Sequence, residues 1–182
     1  LWAIIKIILI SGMPGSGKTV AAEVLREMGL KVFSMGDVVR SYYEKLKNQG
    51  ESIMEFAKRI RRERGNGIVA EWLVELISEI YDSVIGIEGV RNWEEVEIFR
   101  RIGDIIIVAI HAPPKVRYER ILRRSRKYDP YSMDEVIKRD LEELKLGIGT
   151  VIALSDYIIV NDGELENFKK LCKEIFLRII NG

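Results

Sequence analysis

The chain has 182 residues, 47% of them hydrophobic and 31% charged, and its 29 Lys and Arg against 28 Asp and Glu leave a formal net charge of +1. That length suits a single domain, its apolar fraction is too high for a disordered chain, and its charge balance exerts no global pull toward nucleic acid or anionic membranes. A single cysteine, Cys172, and a single histidine, His111, exclude a disulfide framework, a cysteine-based zinc site and multi-histidine metal sites.

Residues 4–11 form a continuous β-branched run, the mark of a strand buried on both faces. The run is too short to span a bilayer, carries Lys6, and lacks the charged start and small-residue end of a signal peptide. A helix follows over 18–28, closed by Gly29, and a short strand over 31–34. Residues 37–82 then repeat apolar side chains at helical spacing: Ile53, Phe56, Ala57 and Ile60, then Val69, Trp72, Leu73, Leu76, Ile77 and Ile80. Gly50 and Gly65-Asn66-Gly67 break this region into two or three helices, which form an insert between strands.

A third strand is expected over 84–87 and a helix over 93–102, with Glu94 and Glu95 early and Arg100 and Arg101 late, as the helix dipole favours. Gly103 ends it, and a fourth strand covers 104–111. The next helix starts near Pro113-Pro114 and runs to about Arg124. Residues 125–131 read as a polar, basic loop, and Ser132 with Glu135 makes a capping-box pattern for another helix. A fifth strand covers 157–160. Asn161-Asp162-Gly163 then turns the chain into a last helix with Leu165, Phe168, Cys172, Ile175 and Ile179 on one face. Strands alternating with helices predict a three-layer α/β/α fold on a five-stranded parallel sheet. Ligands of such sheets bind beyond the carboxyl ends of the strands.

At the first of those ends stands Gly12-Met13-Pro14-Gly15-Ser16-Gly17-Lys18-Thr19, a G-x-x-x-x-G-K-[ST] P-loop between a strand and a helix. Glycines let backbone amides wrap phosphates without side-chain clash, and the following helix points its positive end at the same anion. Lys18 reaches the β and γ phosphates of ATP, and Thr19 offers its hydroxyl to Mg²⁺.

Ser34-Met35-Gly36-Asp37-Val38-Val39-Arg40 follows the second strand. With the P-loop, it resembles the adenylate-kinase superfamily of nucleoside monophosphate kinases. The resemblance implies that Arg40 holds the acceptor phosphate and that Asp37 orders water on Mg²⁺. Glu88-Gly89-Val90-Arg91 follows the third strand, where these kinases carry an acid, a glycine and an arginine. It implies Arg91 as the second arginine on the acceptor phosphate and Glu88 as a metal-ordering carboxylate. Glu88 stands where aspartate is usual, and the segment is one residue shorter than the adenylate-kinase pattern.

The basic stretch Arg117, Arg120, Arg123, Arg124, Arg126 and Lys127, followed by Arg139, resembles the lid of the same kinases. By that likeness a lid segment covers 122–135, and Arg120, Arg124, Arg126 and Arg139 stack on the donor base and clamp the transferring phosphoryl group. The segment from Ser155 to Gly163 is also similar to the last strand of dephospho-coenzyme A kinases, which implies that Asn161 lies near the donor base. The chain from P-loop to last strand resembles an archaeal family of adenylate-kinase-related P-loop proteins. A single glutamine, Gln49, among so many charges leans the same way, toward a thermophile.

His111, Cys172, Trp72 and Trp93 read as structural rather than catalytic. The run Lys58, Arg59, Arg61, Arg62 and Arg64 reads as a solvated face, with RNA contact as its alternative. The expected protein is a cytoplasmic kinase that uses ATP and Mg²⁺ on a nucleoside monophosphate or similar small phosphorylated acceptor, with dephospho-coenzyme A among the candidates and the 37–82 insert binding the acceptor. The competing expectation is an adenylate-kinase-like ATPase that acts in RNA-protein assembly. Neither expectation involves a membrane.

Overall fold

The computed structural model describes residues 5–79, 82–124, 130 and 132–182. Its sheet has five parallel strands in the order β2-β3-β1-β4-β5. They are β1 (Ile5–Ser11), β2 (Lys31–Ser34), β3 (Val84–Glu88), β4 (Gly103–His111) and β5 (Tyr157–Val160). Central β1 is bonded to β3 on one side and β4 on the other, so its Ile7, Ile8, Leu9 and Ile10 are fully buried. That is the physical meaning of its uninterrupted β-branched run.

Alternation along the strands splits the core in two. Ile7, Leu9, Ile85, Ile87 and Ile107 face one layer, and Ile8, Ile10, Val108, Ile110 and Ile159 face the other. The second layer is covered by α1 (Lys18–Glu27) and the C-terminal α9 (Leu165–Asn181), which meet over the sheet. Leu165, expected on the buried face of α9, is 52% exposed, and Phe176 is buried there instead. Leu165 sits in the first turn of α9, just past the turn that leaves the sheet edge.

Three helices lie between β2 and β3: α2 (Met35–Leu46), α3 (Ile53–Arg64) and α4 (Ile68–Ile77). The first two are started by side-chain caps. The Ser34 hydroxyl accepts from the Asp37 amide, and Ser52 with Glu55 closes a full capping box. Buried Trp72 of α4 stacks on Tyr42 of α2 with ring centroids 3.8 Å apart. After β3 comes α5 (Trp93–Arg100), capped by Asn92. After β4 come α6 (Pro114–Arg124), α7 (Met133–Leu146) and α8 (Ile148–Ala153). The sequence pattern after Ser132 predicts one helix. Gly147, at φ 113°, ends α7 and starts α8 in its place. Among the described residues, no helix is long and apolar enough to cross a membrane.

Candidate active site

All five strands point their carboxyl ends at one edge of the molecule, and the P-loop leaves β1 there. Gly12, Gly15 and Gly17 hold φ of 148°, 78° and 110°. At Gly12 and Gly17 there is no room for a Cβ either. It would meet the Ile110 carbonyl oxygen at the first and the Asn161 side-chain amide at the second. The Lys18 ammonium donates to the carbonyl oxygens of Gly12 and Met13, at 2.6 and 3.0 Å. Burial is the main reason its pKa falls to about 8. Nearby Arg91 and Arg139 push the same way, while Glu143 and Glu88 oppose them.

The loop is braced from two directions. Arg117 of α6 is buried and donates to the Pro14 carbonyl at 3.0 Å and the Ala112 carbonyl at 3.1 Å. It also forms a bidentate pair with buried Asp140 of α7 at 3.0 and 2.6 Å, and the Tyr118 hydroxyl donates to the same carboxylate. Arg117 therefore does not belong to a mobile basic lid. Its position shares a stripe with buried Ile121, one helical turn on.

On the other side, the Asn161 side chain donates to the Ser16 carbonyl at 2.8 Å and accepts from Arg120 at 3.3 Å. The Asn161 backbone carbonyl accepts a second bond from Arg120 at 3.1 Å. Asn161 is thus a strut between β5, the P-loop and α6.

A cavity of about 560 Å³ opens over the loop. Gly12, Pro14, Gly15, Gly17, Lys18, Thr19, Arg40, Glu88, Arg91, Arg120, Arg124, Arg139 and Asn161 all wall it. The fold therefore gathers most of the expected site residues around one space. Ser16 is buried beneath the loop, and Met13 faces a separate groove. Asp37 does not wall the cavity; its side chain is 71% exposed and accepts from Arg40. Arg126, expected in the lid, lies outside the described residues. Thr19 and Glu88 offer two hard oxygen donors to the same space, a set that fits Mg²⁺ completed by phosphate oxygens and water.

A second cavity, of about 540 Å³, adjoins the first. The two share Gly36, Arg40, Arg91, Arg139 and Glu143. Met35 and Val39 of α2 and Ile53, Met54 and Ala57 of α3 give the second cavity an apolar side. Glu143 had no place in the sequence reading. It is buried, its Oε1 accepts from Arg91 at 2.8 Å, and its Oε2 has no hydrogen-bond partner among the described residues. Beneath them Arg61, read as a solvated residue, is buried and paired with fully buried Glu95, whose other oxygen accepts from the Arg91 amide. Burial pushes the Glu95 carboxyl up and the Arg61 guanidinium down, and each residue's charge opposes the other's shift.

Residues 8–143 match the family model described as an AAA domain. The UPF0200 protein of Sulfurisphaera tokodaii is 51% identical over 98% of this chain and 99% of its own length. The chain belongs to the UPF0200 family. Another member, from Hyperthermus butylicus, is 42% identical over 95% of this chain and 94% of its own. Among solved structures, TT1252 from Thermus thermophilus superposes with a TM-score of 0.66 at 20% identity, covering 96% of this chain and 98% of that one. Shikimate kinase from Acinetobacter baumannii, solved in complex with shikimate, reaches 0.61 at 19% identity over 99% and 95%. At that identity the likeness is one of fold: this UPF0200 chain has the fold of P-loop kinases.

Proposed function

We propose that the chain moves the γ-phosphoryl group of ATP onto a nucleoside monophosphate or similar small phosphorylated acceptor. The observation that carries this reading is the pair of joined cavities, each large enough for a nucleotide-sized ligand, with three arginines in their shared wall. Phosphoryl transfer needs little covalent chemistry from the protein and much positioning and charge stabilisation, which this cation-rich junction supplies.

In this reading Lys18 and the P-loop amides hold the β and γ phosphates, and Arg120 and Arg124 flank the donor side. Arg40 and Arg91 hold the acceptor phosphate in bidentate fashion. Arg139, common to both cavities, meets the transferring group between them. Thr19 and Glu88 would hold Mg²⁺, which supplies neutralisation of the phosphate oxygens when bound. Asp37 acts through Arg40, whose guanidinium it fixes. A hydroxyl acceptor that carries its own phosphate, such as dephospho-coenzyme A, suits the same cations. The RNA-assembly reading has less support, because its basic run is largely spoken for: Arg61 is buried, and Lys58 and Arg59 pair with Glu142 and Glu51.

The test is a phosphotransfer screen with ATP, Mg²⁺ and each nucleoside monophosphate or dephospho-coenzyme A, with a Lys18→Ala variant beside the wild type. The expected result is one acceptor turned over well above the rest, and at least a hundredfold loss in the variant. ATP hydrolysis indifferent to every acceptor would overturn the reading.

A further inference from the structure

Most large apolar side chains exposed on this molecule are scattered. Leu165, Leu171 and Leu177 of α9 are exposed, but steps of six residues at about 100° each send them in three directions. The outer face of α7 is organised differently. Met133, Ile137, Leu141 and Leu144 are 46%, 41%, 53% and 49% exposed. Their spacings of four, four and three place them on one stripe. The adjoining face of the same helix, about a quarter-turn round, buries Val136, Asp140 and Glu143. A groove of about 430 Å³ runs beside the stripe, walled by Ile137, Leu141 and Leu144 and, across from them, by Met13, Pro114 and Ile152.

Charge along the stripe has a direction. Asp134 and Lys145 lie eleven residues apart, so they fall within about 20° of each other on the same flank, near opposite ends of the helix. A second α7 laid antiparallel, with the two-fold axis between positions 139 and 140, sets Asp134 against Lys145 of the second copy, and Lys145 against its Asp134. That axis leaves Ile137 one residue, about 1.5 Å, out of register with Leu141 of the second copy on the same stripe, close enough for the two to touch and for the leucines to enter the groove. A parallel pair instead sets each charge level with its own copy and on the opposite flank, so Asp134 and Lys145 never meet. The stripe is therefore self-complementary in one orientation, as an isologous contact requires.

We propose that this stripe is the interface of a two-fold dimer of the chain, built on an antiparallel pair of α7 helices. Arg139 and Glu143, which α7 carries into the cavities, lie off the stripe, and of the contact residues named only Lys145 also walls either cavity, so each protomer keeps its own site. A contact along one helix of 14 residues, about 21 Å long, is at the low end of interface sizes, and the dimer is reversible, with a dissociation constant of roughly 1–100 µM.

Sedimentation equilibrium of the full chain tests this, with circular dichroism to confirm that each variant is folded. The wild type should shift from monomer to dimer across that concentration range, and Leu141→Lys should remain monomeric. Asp134→Lys and Lys145→Glu should each weaken association by about tenfold, and the double swap should restore it. Lys145 also walls the second cavity, so association rather than activity is the readout. As a separate check, Asp134→Cys with Lys145→Cys should give a covalent dimer on oxidation; buried Cys172 does not compete. A wild type monomeric at all concentrations overturns the proposal. So does a dimer indifferent to Leu141→Lys, which points to another surface. A double swap that fails to restore association, or an uncrosslinked cysteine pair, overturns the antiparallel geometry on which the proposal rests.

Discussion

Lys18 shows how a side chain is tuned by what surrounds it. Its ammonium sits among loop carbonyls, two arginines and two glutamates, with burial as the dominant influence, and its pKa stands at about 8 instead of 10.5. Below that value the lysine is charged and ready for a phosphate; above it, the proton must be taken up as the anion binds. On the proposed function, ATP binding should raise the lysine's pKa, so affinity should be flat below about pH 8 and fall as pH rises past it, by up to tenfold per unit. Titration calorimetry across pH 6.5–9.5 checks this, with Lys18→Met as the variant whose profile should stay flat. A wild-type profile with no break would mean that Lys18 does not carry the phosphate contact. Glu143 takes part in the same balance and was invisible in the sequence, where one glutamate on a charged helix carries no distinguishing mark. A signal was nonetheless present: Asp140 and Glu143 fall four and seven residues after Val136, on the stripe that packs inward.

At the scale of elements, the strands were the legible part. Runs of isoleucine and valine buried on both faces have few alternatives, and the P-loop locates the first turn without further help. What periodicity cannot settle is which of several charged residues at helical spacing turns inward. Arg61 lies in a basic run that reads as solvated and Arg117 in one that resembles a lid, and both are buried because an acidic partner from another helix meets them there. Nor does periodicity reveal a break that costs no apolar residue, such as the one between α7 and α8. Gly147 makes that break in a left-handed conformation, with an added Cβ meeting the Asn92 Cβ at 3.4 Å. Gly147→Ala should therefore cost about 1–2 kcal/mol in denaturant unfolding, mostly from the strained φ. A variant as stable as the wild type would show that the junction is free to move to another conformation.

Across the whole molecule, the P-loop edge is tied together by a few long-range polar contacts rather than by the two apolar cores alone. The Arg117–Asp140 pair is the clearest of these, because it joins α6, α7 and the P-loop carbonyl of Pro14 in one buried cluster. Buried pairs of this kind contribute little net stability over a well-packed apolar substitute, yet removing one member strands the other charge. Arg117→Ala should therefore destabilise the fold by about 3–5 kcal/mol, and Arg117→Ala with Asp140→Ala together should cost less than the sum of the two single changes. The folding measurement alone does not separate a structural pair from one that shapes the site. ATP affinity does. The double variant, though refolded, lacks the donor to Pro14, so it should still bind ATP more weakly than the wild type. Recovery of both stability and affinity in the double variant would confine the pair to a structural role and leave Asn161 as the brace that holds the phosphate loop in shape.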